Sequence, residues 1–166
     1  MKLWPSDRFE IDTAMSPDEI VAALESNIEP GKFFRFQRHH APFQGKVYED
    51  GFRITRIIHY RNSFLPVVTG KFLPGASGIK VAIRMGLHPL VTAFMCVWFG
   101  GVGLGMIGVI AGLLSGQAPA SLMLLIPFAM LAFGCALVWV CFWFEAKKQK
   151  TMLLEMFSPC RIPPAK

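Results

Sequence analysis

Charge is missing where a soluble chain would carry it. No Asp, Glu, Lys or Arg occurs from Met85 to Phe144, a gap of 60 residues in a sequence of 166. All 28 charged residues lie outside the gap, at about the density of an ordinary globular domain. That division excludes a simple soluble enzyme and a disordered regulator. The four cysteines exclude a disulfide scaffold, because Cys96, Cys135 and Cys141 fall inside apolar sequence and Cys160 in the tail. None has the paired spacing of a zinc or redox motif, and no cofactor is expected. Asn-x-Ser/Thr sequons are absent as well, which agrees with a bacterial or organellar source.

Other absences bear on chemistry. No ionisable side chain lies within the apolar runs, so a proton relay or an ion pathway inside one chain is not expected. Outside them there is no nucleophile elbow, no Cys–His arrangement and no glycine-rich phosphate loop. Gly103-Leu104-Gly105-Met106-Ile107-Gly108 matches the dinucleotide fingerprint in letters only. No strand precedes it and no acidic residue follows at the required distance, so its glycines are read as packing residues. No apolar segment of signal-peptide type precedes residue 90, and the first apolar run is expected to direct insertion itself.

The uncharged block contains two apolar runs, Leu90 to Leu114 and Ala120 to Phe144. As helices each would be about 37 Å long, enough to cross a hydrocarbon layer of roughly 30 Å with some tilt. Ser115 to Pro119 forms a short uncharged turn between them. Lys80 and Arg84 precede the first run, and Lys147, Lys148 and Lys150 follow the second. By the positive-inside rule both termini are expected in the cytoplasm, most simply at a bacterial inner membrane. Trp98, Trp139 and Trp143 would then form an aromatic belt on that side. Gly101, Gly105, Gly108 and Gly112 share one face of the first run, and Ala129, Ala132 and Ala136 share one face of the second. Small residues allow close helix approach, so these stripes are expected to close the hairpin within one chain, with Pro127 bending the second helix.

Residues 1–87 read as a small α+β module. Arg8 to Ala14 alternates like a strand, and Ser16-Pro17-Asp18-Glu19 supplies an N-cap, a first-turn proline and a capping box. Strands are expected over Phe43 to Tyr48, Phe52 to Tyr60, Pro66 to Phe72 and Ile79 to Met85, in a small antiparallel sheet of four or five strands. Glu145 to Phe157 continues the second apolar run as an amphipathic helix. Its stripe of Ala146, Gln149, Leu153, Met156 and Phe157 is expected to return onto the sheet, within a C-terminal segment of residues 145–166. The fold class is therefore an α+β membrane protein, with residues 88–144 as a two-helix transmembrane hairpin.

The net charge of +6 points to an anionic partner. The candidate binding residues are Lys32, Arg35 and Arg38 in a basic-aromatic stretch, with Arg53, Lys80 and Arg84 from the strands. A module tied to a membrane already faces anionic lipid, so headgroups or a protein partner are expected rather than nucleic acid. The leading expectation is a non-enzymatic adaptor, sensor or protective factor. Two others stand beside it: an oligomeric pore or transport-complex subunit, and a membrane-bound enzyme using His39, His40 or His59. No metal site is expected, because the histidines lack ligand spacing.

Overall fold

In the computed structural model, residues 5–29, 41–75, 78–116 and 122–157 are described. The fold is α+β, a six-stranded mixed sheet with three helices. The strands are β1 (Ser6–Thr13), β2 (Ile28–Glu29), β3 (Phe43–Tyr48), β4 (Gly51–Arg56), β5 (Val67–Gly75) and β6 (Gly78–Gly86). The helices are α1 (Pro17–Asn27), α2 (Pro89–Leu114) and α3 (Ile126–Phe157). Strand order across the sheet is β1-β6-β5-β4-β3-β2.

The sheet differs from the sequence expectation in being mixed. Ile28 and Glu29 leave α1 in extended conformation and pair parallel with Phe43 and Gln44. A two-residue strand is too short to carry a period-2 signal, which hides it in sequence. β4 stops at Arg56, short of the expected Tyr60; the Ile57 amide still donates to Pro42 O, one step further in the register that pairs Arg56 with Phe43, and β3 has no residue beyond to pair with the rest. α1 starts as its residues dictate. The Glu19 amide donates to Ser16 Oγ, and the Ser16 amide donates back to the Glu19 carboxylate at 2.7 Å.

One face of the sheet is covered. Phe43, Phe52, Ile54, Val68, Val81, Ile83 and Met85 point from it into a single core, met by Ile20 and Leu24 of α1 and by Ala146, Leu153 and Phe157 of α3. The Phe52 and Phe157 rings stack at 6.0 Å. Gly70 makes room for Phe52, since a Cβ there would lie 2.3 Å from the ring. Each such side chain contributes about 1.5–3 kcal/mol on burial. The terminal half of α3 is therefore the second cover of the sheet, beside α1.

α3 runs unbroken for 32 residues, about 48 Å. Its inward stripe passes through Leu131, Gly134, Val138, Phe142, Glu145, Gln149, Leu153 and Phe157. The first part of the stripe faces α2 and the last part faces the sheet. α2 presents Thr92, Met95, Phe99, Val102, Met106 and Val109, the alternating three–four spacing of a two-helix seam. Gly134 sits against the Phe99 ring, 3.1 Å from where its Cβ would be.

This seam is not the small-residue hairpin that the sequence suggests. A Cβ at Gly101, Gly105 or Gly108 meets no described atom within 4 Å, and Ala129, Ala132 and Ala136 are exposed. Larger side chains give the two helices more contact area along their shared line, and the glycine face turns outward. Gly112 is half-buried. Pro127 also acts differently from expectation. It occupies the first turn of α3, after a 3-10 turn over Leu122–Leu125, where its missing N–H costs nothing.

Both long helices meet the length and composition needed to span a membrane. Apart from the end of α3 that covers the sheet, their apolar side chains are largely uncovered within the chain. Leu90, Val97, Leu104 and Phe133 are 75%, 76%, 72% and 67% exposed.

Candidate functional site

The uncovered face of the sheet carries the polar half of each strand's alternation. Strand register aligns these residues in rows. Arg8 lies opposite Arg84, Arg84 opposite Thr69, Thr69 opposite Arg53, and Arg53 opposite Lys46. At about 4.8 Å per strand, this row crosses five strands in about 19 Å. Four of its five members are cations. Like charges placed directly opposite across a ladder destabilise a sheet by about 0.2–1 kcal/mol per pair. Both Arg8–Arg84 and Arg53–Lys46 carry that penalty. No described residue forms an ion pair with Arg8, Arg53, Arg84 or Lys71.

Arg8, Arg84, Thr69 and Arg53 of this row line a cleft of ≈ 810 Å³, and Lys46 stands outside it. Arg8, Arg53, Arg84 and Lys71 line it with the short side chains of Thr69 and Ala82, and Leu87 and Pro89 close the end where the sheet runs into α2. Small floor residues leave room above the backbone, and the long cations rise around that room. The volume falls within the range of small-ligand sites. Arg84 is two residues from the end of β6, about 7 Å back along the strand, and α2 begins three residues beyond Gly86.

Acidic groups stand at the far end of the same face. Glu10 lines the cleft one row away, but Lys80 Nζ donates to its carboxylate at 3.0 Å. That hydrogen bond, reinforced by the Glu10 and Asp12 charges, raises the Lys80 ammonium above its ordinary value. Lys80 is thereby engaged locally, and the free positive potential concentrates nearer α2.

A second polar cluster joins the sheet to α3. The Glu145 carboxylate is 0% exposed. Arg56 Nη1 donates to it at 2.7 Å, the Tyr60 hydroxyl donates to its other oxygen, and Lys148 Nζ lies 3.9 Å away. The Glu145 hydrogen bond raises the Tyr60 hydroxyl above its ordinary value, with burial and the carboxylate charge adding to the shift. Nearby, Asn62 Nδ2 donates to Cys141 O and Gln149 Nε2 to Pro66 O, both at 3.4 Å. These bonds fix the loop after β4 against α3. The cluster clamps two elements and presents no open catalytic geometry.

Of the residues singled out in sequence, Arg53 and Arg84 meet in the cleft, while Lys80 shares the face but pairs with Glu10. Lys32, Arg35, Arg38, His39 and His40 lie outside the described residues. His59 is exposed, and among the described residues no three His, Cys, Asp or Glu side chains gather as metal ligands. His88 caps α2, its Nδ1 accepting from the Leu90 amide at 3.3 Å. Arg8, Lys46, Thr69 and Lys71 were not legible as site residues. Their outward places in alternating strands were visible, but only the strand order and register bring Arg8, Thr69 and Lys46 into one row, with Lys71 in the next, opposite Ala82.

No protein family, curated protein or solved structure matches the chain. The cleft is therefore read from its own chemistry: a concave, cation-lined surface with hydrogen-bond donors suited to phosphate oxygens.

Proposed function

We propose that the chain is a two-span integral membrane protein whose sheet module lies on the cytoplasmic side and holds anionic phosphate headgroups of its own bilayer against the open face. It acts as a binding module, an adaptor or sensor of the membrane surface, and not as a catalyst. The observation that carries this reading is the unneutralised row Arg8–Arg84–Thr69–Arg53–Lys46, kept in like-charge opposition beside the start of α2.

Two further features support it. The outward surfaces of α2 and α3 are apolar and exposed, which water does not tolerate over such an area and hydrocarbon does. With Pro89 at the membrane boundary, the cation row falls at headgroup depth. Each cation near an anionic surface contributes about 1 kcal/mol, so four supply about 4 kcal/mol before their mutual repulsion. The positive flanks Lys80, Arg84, Lys147, Lys148 and Lys150 argue for cytoplasmic termini, as at a bacterial inner membrane.

The test compares unfolding midpoints of the full chain in nanodiscs of phosphatidylcholine and in nanodiscs that also contain phosphatidylglycerol. Headgroup binding predicts a higher midpoint in the anionic bilayer, an advantage that salt erodes. Equal midpoints at low salt refute it. Orientation is read separately, in a chain whose four cysteines are replaced. A cysteine at Gly116 should label from outside and one at Asp18 only after permeabilisation.

A second reading is favoured by the outward glycine face. Gly101, Gly105 and Gly108 leave a smooth surface that a second copy could approach closely, as an oligomeric assembly requires. Gly105→Leu distinguishes it: a change in mass by light scattering supports an assembly, and an unchanged mass opposes it.

A further inference from the structure

The basic cleft and an apolar groove share a wall residue, Leu87. Beside the α2–α3 seam lies a hollow of ≈ 590 Å³, lined by Thr92, Met95, Phe99, Leu131, Val138 and Trp139. The two hollows thus meet at the residue that links β6 to α2. From Thr92 to Phe99 the groove follows α2 for about 10 Å.

A polar half and an apolar half that meet at one residue specify an amphiphile. We infer that cleft and groove form one site for a single anionic glycerophospholipid, its phosphate among Arg8, Arg53 and Arg84 and the first part of one acyl chain between α2 and α3. The inference rests on the headgroup reading above and adds to it a stoichiometry and a hydrocarbon contact.

Charge selects the lipid class. A zwitterionic headgroup would bring its ammonium against Arg8, Arg53, Arg84 and Lys71, a like-charge contact that the site has only Glu10 to offset, and Glu10 is engaged with Lys80. A phospholipid without that ammonium, such as phosphatidylglycerol, avoids the repulsion. A free phosphate ester satisfies the cations but leaves the groove to bulk lipid. A neutral hydrocarbon does the reverse. Only the anionic phospholipid meets both surfaces.

The experiment is native mass spectrometry of the full chain released from detergent micelles, titrated with dioleoyl-phosphatidylglycerol, with dioleoyl-phosphatidylcholine, and with soluble glycerol phosphate. The expected result is one phosphatidylglycerol per chain, retained in preference to phosphatidylcholine and to glycerol phosphate. Arg84→Gln should weaken its retention about tenfold, the equivalent of about 1.4 kcal/mol, while Arg84→Lys keeps the charge and most of the affinity. Ala136→Trp, which places a large ring at an exposed position lining the groove, should also weaken it. A thermal melt of each variant separates loss of the site from loss of the fold. If glycerol phosphate binds as well as the lipid and Ala136→Trp has no effect, the chain contact is wrong and the headgroup reading stands. If both lipids are retained equally and Arg84→Gln changes nothing, only annular lipid is present and both readings fall.

Discussion

Glu145→Gln is the sharpest probe of how the sheet is held to the long helix. The carboxylate is fully buried and receives Arg56 Nη1 at 2.7 Å together with the Tyr60 hydroxyl. Glutamine keeps the shape and one acceptor oxygen but removes the charge. A hydrogen bond to a charged partner is worth about 1.5–3 kcal/mol. Arg56 is 24% exposed and recovers some hydration when its partner is neutral, so the loss should be about 2 kcal/mol. In a chain of this size that lowers the midpoint by roughly 4–8 °C. Glu145→Leu removes every acceptor and should cost about 3 kcal/mol or more, because it leaves Arg56 facing an apolar wall. The assay is thermal unfolding of the full chain in detergent, with limited proteolysis to report release of α3 from the sheet. The double variant Arg56→Gln/Glu145→Gln should cost clearly less than the two single losses added together. Strict additivity, or a Glu145→Gln midpoint equal to that of the parent chain, would refute the clamp.

Other consequences follow from the same packing. Phe157→Ala removes a ring that is 1% exposed and stacked on Phe52, and should cost about 3–5 kcal/mol in unfolding experiments; an unchanged midpoint would mean that the end of α3 does not cover the sheet. Gly134→Leu should destabilise the hairpin, since even a Cβ there lies 3.1 Å from Phe99, whereas Gly105→Leu should leave the monomer's thermal stability unchanged because its position is open. The Tyr60 hydroxyl is held above its ordinary ionisation range of about 10 by Glu145. Its contribution is therefore complete below the unfolded value and lost as pH rises through the folded one. Tyr60→Phe should flatten the alkaline limb of the stability profile, and an unaltered limb would contradict the bond.

Local chemistry was legible in the sequence wherever it was strong. Ser16 and Glu19 announce the capping box, Glu49-Asp50-Gly51 the hairpin, and the 60-residue charge gap the two long helices. The stripe ending in Leu153 and Phe157 also marks the face of α3 that meets the sheet. What sequence could not settle was which of several similar surfaces touch. Glycine and alanine stripes suggested one helix seam, yet the larger Met95, Phe99 and Val102 form it. Both faces are apolar, so hydropathy does not rank them. Glu145 illustrates a missed signal. It is the first charge after the gap and falls on an otherwise buried stripe, which is where a paired charge is expected. The basic site was half visible. Arg53 and Arg84 stand out as cations of expected strands, but Arg8, Lys46 and Lys71 join them through strand register, which is a long-range property.

The central claim is that the open sheet face is built to meet anionic headgroups, at a cost in self-repulsion. Measuring the midpoint of Arg84→Gln against the parent chain, in neutral and in anionic nanodiscs, tests it most directly. Arg84 lies opposite Arg8 with no described ion-pair partner. The account predicts a reversal of sign: the variant is more stable than the parent in phosphatidylcholine, where repulsion is relieved, and less stable in bilayers containing phosphatidylglycerol, where a contact is lost. A difference of the same sign and size in both bilayers would contradict it.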